Sequence, residues 1–262
     1  MQTGLSGRVV VVTGGSSGIG RAAALAFGRE GARVAVTYHT DQAAAAGCAA
    51  EIEAGGSAAS AFPFDLGSPS RDGAAELVRQ VADRWGGVDV LVNCAGGRDR
   101  SAPWGGRFED GQPEQWRAML DSDLAGPYAL LQATVPAMRG RGWGRIVLVS
   151  SGAGEEGWEG AAAYAAAKAG LAGLARSLAW ELGREGILVN VVAAGLTLTD
   201  RVQRTAPAQV REAIAGRVPS RRLSEPADVA ELIVFLASDA NRNISGEIVR
   251  EGSATGRSAH AG

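Results

Sequence analysis

The stretch Val9-Val10-Val11-Val12-Thr13-Gly14-Gly15-Ser16-Ser17-Gly18-Ile19-Gly20 decides how the rest of the chain is read. Four consecutive β-branched residues favour a strand buried on both faces. The glycines that follow permit a tight turn, and residues 18–30, Ala-rich and free of Pro, then read as a helix. The same strand-then-helix rhythm continues down the chain. Short β-branched or apolar runs at 9–12, 33–38, 58–64, 88–93, 145–150, 187–193 and 247–249 alternate with helical patterns at 18–30, 41–54, 69–85, 113–138, 161–183 and 226–238. Such alternation with nearly all-apolar strands predicts an α/β fold. Its core is a Rossmann-type, doubly wound parallel sheet of about seven strands with helices on both faces. Residues 1–252 form one domain with no linker inside it, and residues 253–262 form a small, polar tail expected to fray. Ligands of such sheets bind beyond the carboxyl ends of the strands.

The composition narrows the setting. The chain has 262 residues, of which 46% are hydrophobic, enough for one sizeable core. A net charge of -2 with scattered basic residues gives no nucleic-acid surface. Cys48 and Cys94, taken with His39 and His260, have neither a zinc spacing nor a disulfide framework, so no metal is expected. Residues 1–8 lack a signal-peptide pattern and no run has the length of a membrane span, so a cytoplasmic location without a membrane partner is the expectation.

The glycine loop has chemistry of its own. Glycines let the backbone approach a pyrophosphate, and a helix N-terminus presents free N–H groups with the positive end of its dipole. Gly14, Ser16, Ser17, Gly18, Ile19 and Gly20 are therefore the expected phosphate-binding positions. In the NAD-type fingerprint an acidic residue follows at the end of the second strand. Here that strand ends in Tyr38-His39-Thr40, with no carboxylate before Asp41. The missing negative charge leaves room for a 2′-phosphate, with His39, Thr40, Ser17 and Arg21 as donors, so NADP(H) is favoured over NAD(H).

Tyr164 and Lys168 lie four residues apart within 161–183. On a helix they share one face, and an ammonium beside a phenol stabilises the phenolate, which makes an acid–base unit.

Together these residues resemble the short-chain dehydrogenase/reductase family, and the resemblance covers nearly the whole chain. Thr13–Gly20 matches its cofactor loop, Asp65-Leu66 its adenine-contacting pair, and Asn93-Cys94-Ala95-Gly96 its Asn-Asn-Ala-Gly stretch. Ser151 stands 13 residues before Tyr164, the place of the family's substrate-polarising serine. Gly195, Thr197 and Thr199 fall in the segment resembling Pro-Gly-x-x-x-Thr, which contacts the nicotinamide side. The resemblance implies hydride transfer between a nicotinamide and a carbonyl or alcohol carbon. Ser151 would bind the substrate oxygen, Tyr164 would exchange its proton, and Lys168 would hold the nicotinamide ribose and tune Tyr164.

Three segments depart from the family pattern. Asp123, in Asp121-Ser122-Asp123-Leu124-Ala125-Gly126, stands where the family has an Asn. An ionised Asp123 near Lys168 would offset the charge that Tyr164 feels and bias the site toward reduction. Ala194 replaces a Pro before the nicotinamide segment, which would leave the unbound loop freer. Glu251-Gly252-Ser253 replaces Asp-Gly-Gly, with little expected consequence.

Two irregular segments are expected to cover the substrate. One is a Gly-rich loop, 97–111, carrying Arg98, Arg100, Trp104, Arg107 and Phe108; the other is a helical lid over 196–222. With Gly152, Ala153, Trp158, Leu196 and Val202 they suggest a mostly apolar pocket. The expectation is a ketoreductase acting on a bulky, polyketide-like ketone, with a 3-oxoacyl thioester as the alternative. A non-catalytic NADP(H)-binding sensor or scaffold, and an epimerase or dehydratase using the cofactor transiently, are the rivals. The resemblance also implies a homodimer or homotetramer built on helices 113–138 and 161–183.

Overall fold

A computed structural model describes residues 2–68, 70–96 and 107–252. Most of the 97–111 loop, including Arg98, Arg100 and Trp104, and the 253–262 tail lie outside these described residues.

The strands are β1 (Val9–Thr13), β2 (Arg33–Tyr38), β3 (Ala59–Pro63), β4 (Val90–Asn93), β5 (Gly144–Ser151), β6 (Ile187–Ala194) and β7 (Ile248–Glu251). All pair in parallel, in the order β3-β2-β1-β4-β5-β6-β7. The strand order reverses between β1 and β4, the switch point at which a doubly wound sheet opens a crevice. Alternation along the opening valines divides the core. Val10 and Val12 face a layer with Phe27, Ile52 and Ile233, whereas Val9 and Val11 face one with Leu77, Leu130 and Leu171. The helices α1 (Gly18–Arg29), α2 (Gln42–Ala54) and α10 (Pro226–Leu236) supply the first layer. The second comes from α3 (Arg71–Trp85), α5 (Gly126–Arg139) and α7 (Ala162–Leu182).

The helix expected over 113–138 is interrupted. It starts as α4 (Pro113–Leu120), passes through a π-turn at Asp121–Ala125, and resumes as α5. Pro127, at the start of α5, has no N–H to donate to the carbonyl four residues back, so one α-type bond is missing beside the π-turn; Pro136, inside α5, does not end that helix. Residues 196–222 carry two short helices, α8 (Asp200–Thr205) and α9 (Ala208–Ala215). A one-turn helix, α6 (Ala153–Glu156), follows β5 and has no counterpart in the sequence reading. Ala194 corrects another expectation. It is 6% exposed, closes β6, and pairs with both Ser151 and Glu251, so the strand ladder holds it in place of the missing ring.

At the amino edge of the sheet, Arg145 is 6% exposed. Its guanidinium donates to the carbonyls of Gly144 (2.9 Å), Gly186 (3.1 Å), Ser238 (3.4 Å) and Asn241 (3.4 Å) and lies 4.4 Å from the Trp143 ring centroid. Beside it, the buried Asp89 accepts from the Val9 N–H and from Arg141, both at 2.8 Å.

Candidate active site

Tyr164 occupies the first turn of α7 and Lys168 the next. The Lys168 Nζ lies 5.6 Å from the centroid of the half-buried Tyr164 ring. Lys168 is only 5% exposed, and a buried ammonium needs partners. It donates to the Val149 carbonyl at 3.3 Å and lies 3.3 Å from the Asp123 Oδ2. The Ser150 Oγ donates to the Lys168 carbonyl at 3.0 Å, fastening β5 to this turn of α7. Ser151 ends β5; its Oγ accepts from the Ala153 N–H at 3.3 Å, which fixes the oxygen and leaves the hydroxyl proton to donate.

Asp123 is fully buried in the π-turn, where its Oδ1 accepts from the Ser122 Oγ at 2.7 Å. Gly96 admits the ion pair: a Cβ there would stand 2.8 Å from the Asp123 Oδ2 and 3.0 Å from the Lys168 Nζ. Burial pushes the Cys94 thiol up to about 12, with the Lys168 charge acting the other way, so this cysteine packs as a neutral side chain.

The glycine loop forms a cradle at the switch point. A Cβ at Gly20 would lie 2.3 Å from the Gly14 carbonyl oxygen. Gly18 adopts φ +52° against the Thr199 methyl, which brings the N-cap of α8 onto the loop. Ser17 precedes α1 without capping it, so the first N–H groups of that helix stay open to an anion. Ser16 is half-buried on the same turn, and Ile19 packs into the core beneath it. Thr13 donates to the Asn93 Oδ1 at 3.0 Å and accepts from the Ala95 N–H at 3.1 Å, locking the ends of β1 and β4 together. Thr197 donates to the Gly195 carbonyl at 3.1 Å, and Thr199 caps α8 through the Val202 N–H at 3.3 Å.

At the far end of the crevice, Tyr38 packs on the core while His39 and Thr40 are exposed. The His39 Nε2 lies 3.4 Å from the Asp65 Oδ2, and the other Asp65 oxygen accepts from the Gly67 N–H at 2.8 Å. Leu66 is buried, and its carbonyl is close enough to α5 to require Gly126. Arg21 does not join this group. Its exposed guanidinium pairs with Glu51 across α1 and α2.

The sequence reading missed two features of this edge. Arg250 of β7 pairs with Glu155 and Glu156 of α6. Ser224 donates to the Glu251 Oε1 at 2.8 Å, while its carbonyl accepts from the Leu198 N–H at 2.8 Å. Glu251, expected to matter little, therefore ties the end of β7 through Ser224 to the segment that follows β6. Neither feature has a local pattern, because each joins residues far apart in sequence.

The short-chain dehydrogenase model described as Enoyl-(Acyl carrier protein) reductase matches residues 14–250. The chain belongs to the short-chain dehydrogenase/reductase family. It is an NAD(P)-dependent oxidoreductase acting on CH–OH and C=O groups. The 3-oxoacyl-(acyl-carrier-protein) reductase FabG of Thermotoga maritima is 36% identical over 246 residues, 94% of this chain and 96% of the relative. The acetoacetyl-CoA reductase of Shinella zoogloeoides is 35% identical over 242 residues, 92% and 95% of the two chains. A solved structure from Sinorhizobium meliloti, described as a short-chain alcohol dehydrogenase, superposes with a TM-score of 0.85 at 32% identity, covering 94% of this chain and 95% of the other. The Gly14–Gly20 cradle and the open N-terminus of α1 fit a dinucleotide at the switch point.

Proposed function

We propose that this enzyme is an NADP(H)-dependent ketoreductase whose substrates are 3-oxoacyl thioesters. The observation that carries the reductase reading is the buried Lys168 held one helical turn from Tyr164 at the carboxyl edge of the sheet. A bound nicotinamide supplies hydride chemistry at its C4. The chain's own groups do the rest. Ser151 donates its hydroxyl proton to the substrate oxygen and orients it. Tyr164 gives that oxygen a proton in reduction and takes one in oxidation. Lys168 holds the nicotinamide ribose and sets the charge beside the phenol.

The thioester class is supported by the relatives, which are reductases of acetoacetyl-CoA and of 3-oxoacyl carrier proteins. A bulky apolar ketone is the second reading, favoured by Trp158 (55% exposed) after α6 and by the exposed Phe108 at the end of the 97–111 loop. NADP(H) is supported by the second strand. The first carboxylate after it, Asp41, is engaged in capping α2 through the Ala44 N–H at 2.9 Å. Ser17, His39 and Thr40 stay exposed to meet a 2′-phosphate.

Cofactor oxidation with acetoacetyl-CoA, an acetoacetyl carrier protein and a bicyclic ketone tests the reading. The thioesters should give the highest kcat/KM, with NADPH preferred over NADH. Faster turnover of the bicyclic ketone would move the assignment to the second reading, and no turnover of any ketone would leave a sensor or scaffold. The exposed Ala162, Ala166, Ala169 and Gly173 stripe of α7, continued by Trp180, supports a homodimer or homotetramer; a monomer mass in light scattering would reject it. Cell fractionation tests the cytoplasmic location that belongs to this proposal.

A further inference from the structure

We propose that Asp123 is a positioning residue that compensates the charge of Lys168 beside Tyr164 and so biases this site toward carbonyl reduction. The inference rests on the reductase reading above and deepens it. An ammonium alone beside a phenol stabilises the phenolate, the form that oxidation of an alcohol needs. Here the ammonium is held by a carboxylate. Asp123 is 0% exposed and Lys168 5%, with 3.3 Å between the Oδ2 and Nζ atoms. At that burial solvent screens the pair little, so the carboxylate acts on the same neighbour as the ammonium, with opposite sign.

The arrangement is specific to the fold around it. The π-turn carries Asp123 inward, Ser122 donates to its second oxygen, and the absence of a side chain at Gly96 leaves room for the pair. Facing Lys168, the π-turn offers Asp123, the segment after β4 offers the neutral Cys94 thiol, and α7 itself offers Tyr164. From β5 comes only the Val149 carbonyl. On α6, Glu155 and Glu156 are engaged by Arg250, and the nearest charge on β5, Arg145, sits at the opposite edge of the sheet. Of the other elements packed against α7, β6 carries no charged residue, and on α4 the exposed Glu114 and Arg117 pair with each other. Among the described residues, Asp123 is thus the carboxylate placed to offset Lys168.

The test needs neither cofactor nor substrate. The phenolate absorption of the cofactor-free protein is titrated against pH in wild type and Asp123→Asn. In each background the same titration of Tyr164→Phe is subtracted, which removes Tyr38 and Tyr128. The Tyr164 phenolate should form at lower pH in Asp123→Asn, by about one pH unit, the order expected for one charge removed from a partly screened pair. The rise of alcohol oxidation with pH should move the same way. Coincident titrations would overturn the proposal while leaving the reductase assignment, which Tyr164→Phe turnover judges separately. If Asp123→Asn does not fold, Lys168→Met is compared with Asp123→Asn/Lys168→Met, in which no unpaired charge remains. An unshifted phenolate band between those two overturns the proposal equally.

Discussion

The two edges of the sheet are made of the same strands and treat polar groups in opposite ways. At the amino edge, hydrogen-bonding capacity is used within the protein: the donors of Arg145 end on four carbonyls, and Asp89 receives the Val9 N–H and Arg141. At the carboxyl edge, Ser151 keeps a proton to donate, Tyr164 is half-exposed, and α1 begins without a side-chain cap. The difference follows from parallel topology. The carboxyl ends of β1, β2, β3, β5 and β6 each lead to the N-terminus of a helix, so open N–H groups gather on that side. The amino edge has no such supply and can be closed for stability. Changes at one edge should therefore cost chemistry, and changes at the other should cost folding.

The largest expected effect tests the chemical half of this contrast. Tyr164→Phe should lower kcat by about 1,000-fold, the middle of the range for losing a general acid. Fluorescence titration should show cofactor affinity close to wild type, and the melting temperature should barely move. Turnover within a few-fold of wild type would remove the assignment of Tyr164. Arg145→Met tests the other half. It strands several buried carbonyls and should destabilise the protein by about 3 kcal/mol in urea unfolding. At a temperature where the variant is folded, its kcat should match wild type. A large loss of kcat without loss of stability would break the contrast between the edges.

The fold was legible because its signals are local. Four valines followed by glycines at 14, 15, 18 and 20 define β1, the turn and α1, and all seven strand positions show as apolar runs. Tyr164 and Lys168 were legible because helical spacing alone puts them on one face. The π-turn was not, since residues 113–138 keep a helical composition and their prolines do not mark the break: Pro127 lies just past it, while Pro136 sits inside α5. The pairing of Arg21 was hidden for a different reason. Its partner Glu51 lies on the neighbouring helix, and no sequence spacing encodes a contact between helices. The Asp123–Lys168 pair stands between these cases: its residues could be named from sequence, but its burial and its 3.3 Å separation are properties of the packing.

Glu251 gives the smallest expected effect and the sharpest test, because it does structural work at the edge otherwise open for chemistry. Burial raises its carboxyl above the usual range; the Ser224 hydrogen bond opposes that shift, Asp228 adds to it and Arg222 offsets it. Its Oε2 is buried without a hydrogen-bond partner among the described residues. A raised folded-state value means that the fold prefers the neutral acid. The resulting stability is complete below the ordinary glutamate value and is lost as pH rises through the folded one. Glu251→Gln removes the charge and keeps an oxygen to accept from Ser224. Near neutral pH the variant should melt about 1–2 °C above wild type, and the gain should vanish in acid, where the wild-type carboxyl is protonated as well. A lower melting temperature at neutral pH would mean that Arg222 or another cation uses the ionised form, and that this tie between β7 and the segment after β6 belongs with the open edge after all.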